Sequence, residues 1–336
     1  MSGRFEKDLN IENKIKQIVS HQPKIINIYS QSFNNKTSNT KRAYIYHVIN
    51  FCSYLKREFN IDMNNIDNIK ELNYSHIVSY LNYIKYHTPN GEYINKEDCS
   101  CSTELYAIKH FCKYLKLCKY IDNNPCDEIE VPKDKKVRKI TSLTYEEIQI
   151  IKNNICNGVG SKRARATQEK WKNRDMCIVL LGITTGLRVS AIANIDVKDI
   201  NFKENTIMTI EKGKDERVVF LSDKMMEILE NWLCDREKIL NKCNIDCDAL
   251  FISSEKQRIG VTTIRDMLKK YTYNIDKHIT PHKLRSTAAT NLYEKTGDIY
   301  LVADVLGHSN IQNTRRYAKV SDNKRIIAAK ELSKLI

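Results

Sequence analysis

Hydrophobic positions recur along most of this chain at helical spacing. After Ser38-Asn39-Thr40, whose oxygen-bearing side chains mark a helix start, Tyr44, Val48, Phe51, Cys52 and Leu55 fall on one face. A second helix is predicted from about Ser75, through Ile77, Val78, Tyr80, Leu81 and Ile84. A third opens at Ser102-Thr103-Glu104 and runs through Ile108, Phe111, Cys112 and Leu115. Pro89-Asn90-Gly91, between the last two, is a turn signal. Residues 36–125 therefore read as a helical bundle. Residues 1–35 are polar and only partly periodic, which leaves a short extra helix and a flexible arm both open. Pro125, Pro132 and the basic run Lys133 to Lys139 make residues 126–140 a linker and domain boundary.

Beyond the linker, Thr141-Ser142-Leu143-Thr144 ahead of Glu146-Glu147 marks another helix start, and a strongly apolar helix follows from Asp175 to Thr185. The period then changes. Ile200 and Phe202, Ile207 to Ile210, and Val218 to Leu221 predict three short strands, with Lys212-Gly213-Lys214-Asp215-Glu216 as the hairpin tip between the last two. Helical patterns return at Met225 to Leu233, Val261 to Tyr271, Pro281 to Tyr293, Ile299 to Leu306 and Lys324 to Ile336. The expected fold is mainly α. A helical bundle precedes a mixed, largely helical domain over residues 141–322 that carries a small three-stranded antiparallel sheet. A C-terminal helix over residues 323–336 closes the chain.

Composition agrees with this picture. In 336 residues there are only 10 Gly and 5 Pro, too few for a loop-rich or all-β chain. The net charge is +14, with Lys and Arg spread over the whole length. Such an excess is the footprint of a phosphate-binding surface, although a solvated lysine-rich surface has the same composition. Of the eleven cysteines, Cys52, Cys112, Cys177 and Cys234 lie in apolar helical patterns and are expected to be buried thiols in a reducing compartment. The pairs Cys99/Cys101 and Cys243/Cys247 lack the companion ligands of a zinc finger, so no metal is expected. Met1 to Asn10 lacks an apolar signal core, and no run of 18 apolar residues occurs. A cytoplasmic protein without a membrane partner is expected.

Five features carry candidate chemistry: Arg188 in Thr184-Thr185-Gly186-Leu187-Arg188, Lys212 at the hairpin tip, His282-Lys283-Leu284-Arg285, Gly307-His308, and Tyr317 nine residues beyond His308. His282 and Arg285, three apart, share a helix face. Guanidinium forks match phosphate oxygens, Lys and His move protons, and a tyrosine oxygen is a covalent nucleophile. No carboxylate cluster offers itself to Mg²⁺. Taken singly, each residue has a plainer structural explanation, such as a helix cap, a surface ion pair or core packing. Taken in this order, they suit metal-free phosphoryl transfer, in which cations stabilise the phosphate in flight.

In this order of motifs, residues 140–320 resemble the catalytic domain of the tyrosine recombinases, the lambda-type phage integrase family. Ser38-Asn39-Thr40, Ser102-Thr103 and Asn124-Pro125 more weakly resemble its core-binding, SAM-like helical domain. The resemblance implies a site-specific recombinase that cuts and rejoins DNA through a 3′-phosphotyrosine, integrating or excising a mobile element or resolving replicon multimers. By the same resemblance, Arg188 and Arg285 hold the non-bridging phosphate oxygens and Lys212 protonates the leaving 5′-oxygen. His282 is a general base or hydrogen-bond donor, His308 donates to the phosphate, and Tyr317 attacks. Lys214 competes with Lys212, which is favoured by the adjacent Gly213 and by Arg217 downstream. No cofactor is implied. The implied partners are double-stranded DNA carrying specific sites and further copies of the chain, as a tetramer on DNA. The apolar stripe of the C-terminal helix, Ile326, Ile327, Leu332, Leu335 and Ile336, leaves two readings open: packing on its own domain and, as the resemblance implies, docking in trans into a neighbouring copy. Lys41, Arg42, Lys109 and Lys113, on polar helix faces, are candidates for DNA contact. Two positions depart from the family pattern: Ala191, where an acidic residue often supports an active-site histidine, and Lys319, where a histidine is frequent. The rival readings are a type IB topoisomerase or telomere resolvase, a DNA-binding protein that does not cut, and a metal-dependent nuclease.

Overall fold

The structure is a computed structural model that describes residues 2–33, 36–88, 91–94, 96, 101–131, 141–210, 216–308, 310–315, 317, 330 and 332–333. The chain divides into two compact units, Met1–Val137 and Arg138–Ile336.

The first unit contains α1 (Ser2–Ser20), α2 (Lys24–Gln31), α3 (Ser38–Phe59), α4 (Ile66–Lys70), α5 (Tyr74–Tyr86) and α6 (Ser102–Leu117). Thr37 caps α3 by accepting a hydrogen bond from the Thr40 N–H, one residue ahead of the expected start. Helices α3 and α6 pack face to face, and the stripe Ile45, Val48, Phe51, Cys52 and Leu55 meets Leu105, Ile108, Phe111, Cys112 and Leu115. Of the two readings left open for residues 1–35, the described residues 2–33 match helices packed on the bundle. Ile15, Val19, Ile25, Ile26 and Tyr29 are buried in the same core. Their signal in the sequence is faint because α1 is polar over most of its surface. Pro89 and Asn90 lie outside the described residues. The flanking Thr88 and Gly91 are joined by a backbone hydrogen bond, beside a His87–Tyr93 bridge.

The second unit contains α7 (Tyr145–Asn157), α8 (Lys162–Glu169), α9 (Lys172–Thr185), α10 (Val189–Asn194), β1 (Ile200–Asn201), β2 (Thr206–Ile210), β3 (Glu216–Phe220), α11 (Asp223–Cys243), α12 (Val261–Tyr271), α13 (Pro281–Thr296), α14 (Ile299–Leu306) and α15 (Gln312–Arg315). Helix α9 is buried on nearly every side, as its continuous apolar run requires, with α11, α13 and α7 around it. The polar pair at its start is neutralised internally. Asp175 accepts from Arg174 Nε and Nη2 at 2.9 and 2.7 Å and from the Tyr271 hydroxyl at 2.9 Å. The sheet is antiparallel in the order β1-β2-β3, with Ile207 opposite Val219 and Ile210 opposite Glu216.

Cys234 departs from expectation. Cys52, Cys112 and Cys177 are buried, but Cys234 is exposed, because α11 turns Met225, Met226, Leu229, Trp232 and Arg236 inward and leaves Cys234 on its outer face. Cys52, Cys112, Cys118, Cys126, Cys156, Cys177, Cys234, Cys243 and Cys247 are free thiols. Among the described residues, no helix is long and apolar enough to cross a membrane. Of the predicted linker over 126–140, residues 132–140 lie outside the described residues, whereas Cys126 and Ile129 are buried in the core of the first unit; of the predicted hairpin tip over 212–216, only Glu216 is described, as the first residue of β3. The C-terminal helix also lies outside the described residues, apart from Lys330, Leu332 and Ser333, which are helical. Of its expected apolar stripe, only Leu332 is described, and it is exposed.

Candidate active site

Helix α9 ends at Gly186, which adopts a left-handed φ of +65° as its C-cap. A Cβ there would lie 2.6 Å from Leu306 Cδ2, so glycine is required both by backbone conformation and by close packing. Two residues later the chain re-enters a helix with Arg188 as the cap of α10, in an extended conformation. This αL-then-extended corner turns Arg188 out of the core to a part-exposed position. Ala191, the first departure from the family pattern, is buried in the apolar core.

Pro281 opens α13 at the position where a missing N–H costs nothing. His282 follows on the exposed side, and Arg285 one turn later is 3% exposed. Its guanidinium is held by backbone, with Nη1 donating to Gly186 O and Nη2 to Leu306 O, both at 2.7 Å. Arg285 thus fastens the end of α9 to the end of α14. Asp298 caps the start of α14 by accepting from the Tyr300 and Leu301 N–H groups, and Gly307 terminates it at φ +63°. His308 comes next, and its Nδ1 lies 2.8 Å from Thr314 Oγ1.

These three corners meet. Arg188, His282, Arg285 and His308 line one open cavity of about 450 Å³, together with Leu187, Val189, Ser190 and Pro281. Four of the six predicted catalytic residues, from segments up to 120 residues apart in sequence (308 − 188 = 120), are therefore gathered. Tyr317 is not on the lining. It is 5% exposed and packs with Ala289, Val302 and Leu306, its ring parallel to that of His308 at 6.5 Å between centroids. Lys212, and its competitor Lys214, lie outside the described residues, as does Lys319.

Sequence reasoning missed Thr314, which is fully buried and fixes the His308 ring, and the two backbone carbonyls that hold Arg285. A threonine six residues after a histidine carries no signal of its own. Arg217 was noted only as a neighbour of the lysine hairpin, yet it reaches the end of α14. Among the described residues, no group of three or more His, Cys, Asp or Glu side chains could hold a metal ion.

In the first unit, Lys41 is engaged by Glu12 at 2.8 Å, Arg42 and Lys109 are part-exposed, and Lys113 is exposed. Lys36, absent from the predicted set, lies over the Tyr44 ring, next to His110. Burial, with the charges of Lys36 and Lys113, lowers the His110 pKa.

The model of the phage integrase family matches residues 142–324. A tyrosine recombinase XerC of Caldanaerobacter subterraneus is 30% identical over 316 residues, covering 88% of this chain and 82% of that protein. Among solved structures, the XerH site-specific recombinase bound to a palindromic difH substrate, a post-cleavage complex, has a TM-score of 0.66 at 21% identity, covering 88% of this chain and 80% of that one. A lambda integrase (75–356) dimer bound to a COC′ core site has a TM-score of 0.63 at 15% identity, covering 88% and 94%.

Proposed function

Because this chain belongs to the phage integrase family of tyrosine recombinases, we propose that it is a site-specific DNA recombinase whose catalytic centre is the Arg188–His282–Arg285–His308 cavity with Tyr317 as nucleophile. The observation that carries the reading is the convergence of those four cationic or proton-moving side chains on one open cavity. A phosphodiester entering it would meet two guanidinium groups. Arg285 is held by two carbonyls and pays little reorganisation when phosphate arrives, which is the condition for electrostatic stabilisation of a transition state. Arg188, on its part-exposed corner, supplies the second fork. If Thr314 donates to His308 Nδ1, the ring carries its proton on Nε2 and can donate it to a phosphate oxygen.

In the cleavage step the Tyr317 oxygen bonds to phosphorus, its proton passes to His282, and the bond to the 5′-oxygen breaks. That oxygen takes a proton from Lys212. The phosphate ester retained on Tyr317 allows the reverse reaction on a new 5′-hydroxyl, so joining needs no nucleotide cofactor and the step needs no metal. Tyr317 is buried beside His308, so attack requires its segment to shift toward the cavity.

The 30% identity to a XerC recombinase over most of both chains favours resolution of replicon multimers over mobile-element integration. We assign the partners as duplex DNA with specific sites and further copies of the chain, a tetramer on DNA. Lys41, Arg42, Lys109 and Lys113 are proposed phosphate contacts, and the free, buried thiols of Cys52, Cys112 and Cys177 agree with a cytoplasmic location. The test is a nicked suicide duplex, built from DNA flanking the chain's gene, incubated in EDTA with wild-type protein and with Tyr317→Phe. A covalent adduct with the wild type alone is expected. Specific binding without adduct from either protein would replace this reading with a non-cutting DNA-binding protein.

A further inference from the structure

We propose that Arg217 is a positioning residue that ties β3, the strand that follows Lys212 in the sequence, to the corner carrying His308, and that this tie supports the step in which Lys212 protonates the leaving oxygen. The proposal rests on the reading of Lys212 as the general acid.

Arg217 stands second in β3, opposite Thr209 of β2, and the Thr209 hydroxyl donates back to the Arg217 carbonyl at 3.3 Å. Its side chain leaves the sheet. Nη2 donates to Asp304 O at 2.7 Å and also to Val305 O. These carbonyls belong to the last turn of α14, where a cation is favoured by the helix dipole; Asp304 O also accepts the Gly307 N–H at 2.8 Å. Arg285 takes the next carbonyl, that of Leu306. Two guanidinium groups therefore divide three consecutive carbonyls at the end of α14: one lines the cavity and the other belongs to the hairpin.

Gly307 shows how closely the fit is drawn. A Cβ at that position would lie 2.7 Å from Arg217 Nη1, so the guanidinium occupies the space that the missing side chain leaves. Arg217 does not line the cavity, and it acts on the reaction through what it holds. The two elements it joins would respond unequally to its loss. Helix α14 would still be fastened by Arg285 and by the burial of Val302, Ala303 and Leu306, whereas β3 would lose this tie. The consequence should fall on the lysine of the hairpin rather than on the phosphate-holding groups.

That distinction can be measured. Wild type, Arg217→Ala and Arg217→Lys are compared on two nicked suicide duplexes, one with the ordinary bridging 5′-oxygen and one with a bridging 5′-sulfur. With oxygen, the P–O bond breaks and the leaving oxygen needs a proton from Lys212. With sulfur, the P–S bond breaks and a thiolate leaves unprotonated, since thiols ionise near neutral pH. Arg217→Ala is expected to slow cleavage of the oxygen duplex by about 30-fold or more, within the range of a misplaced general acid, and the sulfur duplex by less than about threefold. Arg217→Lys, which retains one cation but not the fork, should fall between wild type and Arg217→Ala on oxygen and match wild type on sulfur. Equal slowing of both duplexes would overturn the proposal, since it would place the effect of Arg217 on the phosphate site or the fold. Should Arg217→Ala fail to fold, the Arg217→Lys ratio decides by the same rule. Lys212→Ala serves as the control for the underlying reading: if sulfur does not rescue it, the assignment of Lys212 fails, independently of the Arg217 result.

Discussion

Arg285 is proposed to serve the reaction, yet its geometry makes a second demand on it. Its guanidinium is buried and donates to Gly186 O and Leu306 O, each at 2.7 Å. Truncation to alanine removes both bonds and unlinks the ends of α9 and α14. Hydrogen bonds from a charged donor contribute about 1.5–3 kcal/mol each, which sets an upper limit near 3–6 kcal/mol. Two corrections lower it. The buried cation carries a desolvation cost that alanine relieves, and the adjoining cavity lets water reach the freed carbonyls. The expected loss is therefore about 2–4 kcal/mol, or a fall in melting temperature of roughly 5–15 °C for the second unit. Arg188→Ala, on a part-exposed cap, should abolish cleavage as thoroughly but change stability by only about 0.5 kcal/mol. The assay is urea and thermal unfolding followed by tryptophan fluorescence, because both tryptophans, Trp171 and Trp232, lie in the second unit. Equal stabilities of Arg285→Ala and Arg188→Ala would refute the view that Arg285 holds the site together as well as serving it.

Other consequences follow from single contacts. Thr314→Val removes the partner of His308 Nδ1 while keeping its volume, and cleavage should slow about tenfold with DNA binding intact; an unchanged rate would mean the ring needs no such support. Asp175→Ala strands the buried Arg174 and the Tyr271 hydroxyl, and denaturant titration should register a loss of about 3–5 kcal/mol. His110 is held below the ordinary histidine pKa of about 6.5, by burial first and by Lys36 and Lys113 next. The unfolded chain therefore takes the proton first as pH falls. The stability contributed by neutral His110 is complete above about 6.5 and is lost as pH drops through the folded-state value. Ring NMR of His110 in the full chain should give a midpoint below 6.5, and a midpoint above it would reverse the sign of this contribution.

Much of the fold was legible because apolar spacing and caps coincide in the sequence. Helices α12 and α14 end where their stripes end, and the Thr144–Glu147 pair that announces α7 forms a reciprocal capping box. The change to period 2 over residues 199–221 locates the sheet. Elements whose burial runs against composition were harder to read. Helix α1 reaches the core through few apolar residues, and α11 continues ten residues past Leu233 because Arg236 is buried there, donating to the carbonyls of Ala249 and Cys247. At the site, motif order identified the segments that build the cavity. It carried no information on what holds them, because carbonyls at Gly186, Asp304, Val305 and Leu306 have no residue signature. The burial of Tyr317 was equally invisible, since it depends on how α13 and α14 pack.

The most direct test of the central claim is to digest the covalent protein–DNA adduct and locate the modified residue and the linkage by mass spectrometry. The account predicts a single nucleotide-bearing peptide, modified on Tyr317 through a 3′-phosphate, with a 5′-hydroxyl on the released strand. Attachment to any other of the 18 tyrosines, or through a 5′-phosphate, would contradict it.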